Sequence, residues 1–290
     1  MQKVLVLIGP TASGKSALAV RLAKRLHGEV ISADSRQVYK GLDIGTGKIT
    51  KREMRGVKHY LLDVASAKRT FTANDFIHLG EKAIAQVASR GKLPIISGGT
   101  GFYIDALLGE ITLADVPPNK KLRKKLRKKS AAELFEMLKV KHPERAKTVD
   151  KHNPVRLIRA LEIAAAKKKT PSISGKEYDV FWIGIAPDKR MLREKIHKRL
   201  LARMKIGMVK EAERLHKAGL SWKRMEELGL EYRYLAFYLQ RKITKEEMLE
   251  QLENKIWQYS KRQMTYWQRN RKIHWFNSSE EVLSWMKERF

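Results

Sequence analysis

The chain is 290 residues long and carries 61 Lys and Arg against 31 Asp and Glu, a formal net charge of +30. The absence of cysteine excludes disulfides and thiolate metal sites, and the eight histidines show no metal-ligand spacing. No apolar run approaches the roughly 18 residues of a membrane span, and the first residues leave no room for a signal peptide, so a soluble cytoplasmic protein with a polyanionic partner such as nucleic acid is expected.

The length suits one large α/β domain with an insertion, or two small domains. Val4-Leu5-Val6-Leu7 reads as a buried strand, and residues 17–26 as a helix. Between them Gly9, Pro10, Thr11, Ala12, Ser13, Gly14, Lys15 and Ser16 match the P-loop pattern in its strand–loop–helix setting. Backbone N–H groups and the helix N-terminus are suited to phosphate oxygens, Lys15 adds a full cation, and the Ser16 hydroxyl suits Mg²⁺. The stretch is read as a diphosphate or polyphosphate cradle.

Residues 29–33 read as a second strand that ends at Asp34-Ser35-Arg36-Gln37. Ligands of open parallel sheets sit beyond the carboxyl ends of the strands, so Asp34 is expected on the same rim as the P-loop. Its carboxylate could serve as general base, as metal ligand or as a cap. Residues 41–47 hold too many glycines for a helix and read as a shaped loop. Residues 59–64 read as a short strand, and Thr72 with Asp75 as a capping box that opens a helix to about residue 90. Residues 93–97 give another buried strand, which delivers Gly98-Gly99-Thr100-Gly101 to the same rim.

Composition changes near Thr112. Residues 119–129 hold eight cations in eleven positions, Ser130 and Glu133 form a capping box, and Asn153-Pro154 opens a further helix. Nothing from 113 to 176 reads as a strand. The fold class is therefore α/β, a P-loop NTPase-like parallel sheet core flanked by helices, at 1–112 and 177–290. A basic helical insertion spans 113–176, and its charge density favours phosphate contact. Residues 178–186 return to strand character, Asp188 caps an arginine-rich helix, and helices are expected at 208–218, 221–228 and 231–240. Thr244 and Glu247 box a long helix to about residue 269. Its aromatics (Trp257, Tyr259, Tyr266 and Trp267) read as core rather than as a base-stacking platform. A strand at 273–276 and a helix at 279–290 end the chain.

Three chemistries fit a phosphate cradle, an aspartate and a Gly-Gly-Thr turn on one rim. One is a nucleotide or small-molecule kinase with ATP on the P-loop, and another a transferase whose P-loop holds the diphosphate of an activated donor. The third is a non-catalytic RNA-binding NTPase. A polynucleotide acceptor explains the basic insertion, which a metabolite kinase would not need.

The motifs 9–16, 31–39, 43–48 and 98–103, with Arg156-Leu157-Ile158-Arg159-Ala160-Leu161-Glu162 and Lys261-Arg262-Gln263-Met264-Thr265-Tyr266-Trp267, resemble the tRNA dimethylallyltransferase (isopentenyltransferase) family in family order. The resemblance implies prenylation of the exocyclic amine of adenosine 37 beside the anticodon, with dimethylallyl diphosphate as donor, Mg²⁺ as cofactor and a monomeric enzyme. It implies that Asp34 engages the amine, that Thr100 and Arg199 assist at the reacting centre, and that residues 9–16 hold the diphosphate with Ser16 at the metal. It implies tRNA contacts at Asp34, Ser35, Arg36, Gln37, Thr100, Arg123, Val155, Arg156, Leu157, Ile158 and Arg159, made to the anticodon stem-loop. Residues 228–233 depart from the family's usual run, and Val155 replaces a more usual Gln.

Overall fold

The computed structural model of the chain describes residues 1–166, 172–173 and 175–287. They form two compact units, one of residues 1–111 and 175–290 and the other of residues 112–174.

The larger unit begins with β1 (Lys3–Ile8), α1 (Lys15–Arg25), β2 (Gly28–Ala33), α2 (Lys51–Met54), β3 (His59–Tyr60), α3 (Ala73–Ala88), β4 (Leu93–Gly98) and α4 (Gly101–Leu107). The smaller unit runs β5 (Leu113–Ala114), α5 (Lys120–Leu126), α6 (Ala131–Lys141), α7 (Pro143–Thr148), α8 (Pro154–Ala165) and β6 (Ser172–Ile173). The larger unit resumes with β7 (Asp179–Ile185), α9 (Lys189–Lys205), α10 (Met208–Lys217), α11 (Trp222–Leu228), α12 (Leu230–Leu239), α13 (Lys245–Trp267), β8 (His274–Phe276) and α14 (Ser279–Lys287).

The described strands of the larger unit pair in the order β3-β2-β4-β1-β7-β8, all parallel, with Leu5 opposite Ile95 and Phe181. Alternation along β1 explains why the sheet needs helices on both faces. Val4, Val6 and Ile8 pack with Phe76, Ile84, Ile104 and Trp267, while Leu5 and Leu7 pack with Leu18, Leu22, Val282 and Met286. A third cluster gathers α9 to α13 around Val38, Tyr39 and Leu42, the chain that follows β2. All three expected capping boxes form, at Thr72, Ser130 and Thr244, and a fourth opens α2 at Thr50 with Glu53.

The structure corrects two expectations. The strand expected at 59–64 stops at Tyr60, because Leu61 and Asp63 adopt left-handed backbone with φ of 62° and 56°. The insertion is not free of strands: β5 and β6 pair antiparallel, Leu113 opposite Ile173. Two-residue strands are too short to show a period of two, so only the pairing reveals them. Residues 167–171 and 174 of the expected insertion and 288–290 of the expected last helix lie outside the described residues.

Glu29 staples the N-terminal end of the sheet. Its buried carboxylate accepts from Lys92 at 2.9 Å, from the Tyr60 hydroxyl at 2.7 Å and from Arg90 at 2.5 Å. Burial pushes this carboxyl up, but the bonds from Lys92, Tyr60 and Arg90 outweigh it and hold the group at about 2. A carboxyl lowered on folding adds stability that is complete above its unfolded value near 4.5 and is lost as pH falls toward 2. Glu29→Gln should lower the Tm at pH 7 by about 5 °C and flatten the acid limb of a thermal-melt series in that window. An unchanged acid limb would show that the cluster does not govern acid unfolding.

Candidate active site

The cradle forms where β1 ends. Pro10 supplies no N–H, the Ser13 N–H turns back to the Pro10 carbonyl at 3.3 Å, and Gly14 caps α1 in left-handed backbone at φ 92°, which disfavours a β-carbon. No acidic residue stands in the first turn of α1 to compete with an anion there. Lys15 Nζ rests 2.6 Å from the Pro10 carbonyl, inside the loop. Burial pulls its ammonium down to about 7, Arg199 adds to the fall and Asp34 opposes it. An anion entering the cradle would restore that charge. Ser16 is accessible beside it, on the cavity wall.

The acceptor side forms where β2 and β4 end. Asp34 Oδ1 accepts from the N–H groups of Arg36 and Gln37 at 2.8 and 3.2 Å, which closes a tight turn and leaves Oδ2 without a hydrogen-bond partner among the described residues. One oxygen of the carboxylate thus caps the turn while the other is left available. The Thr100 hydroxyl accepts from the Ser35 N–H at 3.0 Å, tying the β4 turn to the β2 turn. Tyr259, on α13, lines the same cavity as Asp34, and burial followed by the nearby Asp34 charge raises its hydroxyl to about 12, so it stays protonated at neutral pH.

α9 brings two arginines to the same place. Arg199 Nη2 donates to the Thr11 hydroxyl at 2.6 Å, and burial followed by Arg203 brings its guanidinium down to about 10. Arg203, 5% exposed, donates to the Gly45 carbonyl at 3.2 Å and faces Glu231 at 3.4 Å. Burial pushes the Glu231 carboxyl up although Arg203 opposes it. The loop between β2 and α2 is clamped from below. Glu211 accepts from three successive N–H groups, Asp43 at 3.1, Ile44 at 2.8 and Gly45 at 2.9 Å, and from the Tyr232 hydroxyl at 2.6 Å.

These parts surround a cavity of about 700 Å³, within the size range of small-ligand sites. Of the expected residues, Thr11, Ala12, Ser13, Gly14, Lys15, Ser16, Asp34, Gln37 and Arg199 line it. Gly9 and Pro10 are buried at the base of the loop, and Ser35, Arg36 and Thr100 stand beside the cavity in the turns that shape it. Sequence reasoning missed Gln263, Tyr259, Arg203 and the Asp43-to-Lys48 wall. Gln263 and Tyr259 reach the site from a helix more than 150 residues away in sequence from Gly99 and Thr100; Gln263 stands in the 261–267 motif and Tyr259 among aromatics read as core, and neither setting marks a cavity residue.

The profile of the family described as IPP transferase matches residues 37–271. The chain belongs to the IPP transferase family.

Relatives in this family include tRNA dimethylallyltransferase 2 of Treponema denticola, 44% identical over 93% of this chain and 94% of its own length. The tRNA dimethylallyltransferase of Anoxybacillus flavithermus is 38% identical over 97% of this chain and 92% of its own length. The full-length tRNA isopentenylpyrophosphate transferase of Bacillus halodurans has a similar structure, with a TM-score of 0.75, 32% identity and coverage of 99% and 96% of the two chains. A eukaryotic dimethylallyltransferase structure matches at TM-score 0.78 over 92% of this chain and 70% of its own length, and at 24% identity that likeness speaks to the fold. Like these relatives, this member of the IPP transferase family is a transferase.

In the smaller unit the family-expected contact residues divide. Val155 and Arg156 are exposed at the start of α8, whereas Leu157 and Ile158 are packed into the apolar core with Leu126, Leu134 and Leu161. The Leu157 side chain is fully buried because its helical position faces inward. Arg123 grips the buried Glu162 through two 2.6 Å bonds, and Arg159 bonds Glu162 at 3.2 Å and the Val116 carbonyl at 2.9 Å. Burial pushes the Glu162 carboxyl up, and the Arg123 bond, the Asn119 N–H and Arg159 outweigh it, keeping it below its ordinary value. Both arginines hold the unit together while exposing part of their guanidinium surface. Among the described residues of this family member, no helix is long and apolar enough to cross a membrane.

Proposed function

We propose that the chain transfers a dimethylallyl group from dimethylallyl diphosphate to N6 of adenosine 37 in tRNA, giving N6-(dimethylallyl)adenosine and diphosphate. The activities for which its relatives are named support the reading. The observation that carries it is the meeting, in one cavity, of a leaving-group cradle with a carboxylate whose second oxygen is available to an amine. The protein would act as a monomer in the cytoplasm, where its tRNA substrate is found.

The bond from the allylic C1 to the diphosphate oxygen breaks as the bond from C1 to N6 forms. Negative charge gathers on the departing diphosphate, where Lys15, Arg199 and the N–H groups opening α1 meet it in a partly dry site. Asp34 Oδ2 holds the amine and takes its proton, while Oδ1 keeps the turn closed. Thr100 and Tyr259 fix the wall beside that carboxylate. An adenine from an anticodon loop costs less to extrude than one from a duplex.

The Ser16 hydroxyl, with diphosphate oxygens and water, would hold Mg²⁺. That ion retains several waters and is commonly bound through substrate phosphates, and no cluster of three or more His, Cys, Asp or Glu offers a protein cage among the described residues. When bound, the ion neutralises charge on the leaving diphosphate.

We assign the smaller unit to the anticodon stem, through exposed cations of α5 and the exposed start of α8. Neutralising Lys120, Lys121, Lys124 and Lys125, all exposed, should weaken tRNA binding and flatten its salt dependence. The slope should fall by about 0.7–0.9 log units for each phosphate that the variant no longer neutralises. Diphosphate affinity should stay as it was. A salt slope equal to the parent's would make the block a solvated face.

Incubation with labelled dimethylallyl diphosphate and bulk tRNA, followed by nucleoside analysis, tests the function. Labelled dimethylallyladenosine supports it. ATP-dependent phosphorylation of a small molecule, or tRNA binding without product, overturns it.

A further inference from the structure

Gln263 breaks the buried stripe of α13, in which Met248, Leu252, Ile256 and Trp267 are apolar. A primary amide offers one acceptor and two donors, and burial makes leaving them unmet costly. Here its two ends meet two different loops. Oε1 accepts from the Thr11 N–H at 2.8 Å, and Nε2 donates to the Gly99 carbonyl at 2.9 Å. Those loops follow β1 and β4, which are neighbours in the sheet. The approach is close enough that a β-carbon on Gly99 would fall 2.0 Å from Nε2, so a side chain at 99 would displace the Gln263 amide from this position.

The two loops carry opposite halves of the reaction. Thr11 opens the cradle: its N–H is held by Gln263 and its hydroxyl by Arg199, while the residues that begin α1 line the cavity. Gly99 leads to Thr100, whose hydroxyl accepts the Ser35 N–H next to Asp34. A continuous path therefore runs from the cradle through Gln263, Gly99, Thr100 and Ser35 to the carboxylate. We infer that Gln263 is a positioning residue that clips the diphosphate cradle to the acceptor side, setting the separation across which the allylic carbon and the amine meet. The inference rests on the prenyl-transfer reading. Reacting atoms need an approach of about 3–3.5 Å, and a misplacement of about 1 Å can cost on the order of 100-fold in rate. Neither substrate needs to touch Gln263 for that loss, so binding and chemistry should separate.

Gln263→Met keeps the length and bulk of the side chain and removes both bonds. Inorganic diphosphate titration and filter binding of bulk tRNA should give affinities within about threefold of the parent, while the single-turnover rate falls roughly 10- to 100-fold. A rate within threefold of the parent overturns the clip, and so does a loss of either affinity as large as the loss of rate. Gln263→Glu keeps the acceptor for Thr11 and donates to Gly99 only when protonated. Its deficit relative to the parent should therefore be smaller at pH 6 than at pH 8, and an equal deficit at both pH values overturns the Gly99 arm. Should a thermal melt show Gln263→Met unfolded, Gln263→Glu carries the test. A parent that makes no prenylated nucleoside sinks the prenyl-transfer reading and this inference with it. An active parent with an equally active variant sinks the clip alone.

Discussion

Asp34→Asn should leave the fold and both binding steps nearly intact while the chemical step slows by about two to four orders of magnitude. The fold survives because an amide oxygen can still accept from Arg36 and Gln37, the two N–H groups that Oδ1 holds at 2.8 and 3.2 Å. Chemistry fails because an amide cannot take the proton of the amine. With the amide oxygen committed to the turn, an NH2 group replaces Oδ2 and offers the amine no acceptor. The same substitution distinguishes a metal-binding role. A metal ligand at this position would show itself as weakened Mg²⁺-dependent diphosphate binding before tRNA enters, with the rate restored at high Mg²⁺. Single-turnover kinetics across a Mg²⁺ titration decides between them, and restoration by Mg²⁺ would remove the general-base assignment.

The second large effect belongs to Lys15. Lys15→Ala should lower kcat/KM for the isoprenoid diphosphate by about 100- to 1,000-fold, in kcat as well as KM, since the charge it meets grows as the diphosphate departs. The pH dependence carries a sign of its own. In the free protein burial, aided by Arg199, brings the ammonium down to about 7, and a bound diphosphate pulls it back toward its ordinary 10.5. Above pH 7 the free protein therefore loses a proton that the complex retains. Diphosphate affinity should fall, by up to about tenfold per pH unit, as pH rises from 7 toward the value of the complex. Lys15→Ala should flatten that slope in a calorimetric titration from pH 7 to 9. An equally steep slope in the variant would place the titrating group elsewhere.

The parts of the site that read clearly in sequence are those made by neighbours along the chain. The P-loop is a strand, a turn and a helix in close succession, and its glycines, Lys15 and Ser16 act through backbone geometry that the motif itself specifies. The Asp34 and Gly98 turns read in the same way, because a parallel sheet delivers the carboxyl ends of its strands to one rim. The capping boxes at Thr72, Ser130 and Thr244 are legible because their bonds span three residues. Asp34 shows where such reading stops. Cap and base look like rival roles in the sequence, and the two oxygens of the carboxylate keep them apart.

Charge is the least local property. The family resemblance implies nucleic-acid contacts at Arg123 and Arg159, yet both turn to Glu162, a buried carboxylate that needs partners wherever they come from. Leu157 lies inside a motif that the resemblance expects to contact tRNA and faces the core, because a helix that presents Val155 and Arg156 to solvent must turn its next residue inward. By itself the sequence determined the cradle, the rim carboxylate, the parallel core and the basic insertion, all of which depend on residue type and short-range spacing. Only the tertiary structure decided that Gln263, Tyr259, Arg203 and Glu211 serve the cavity. Their partners lie far away along the chain, 252 residues for Gln263 and Thr11 and 158 for Arg203 and Gly45. Hydrogen bonds between such distant segments leave no period in the chain that makes them.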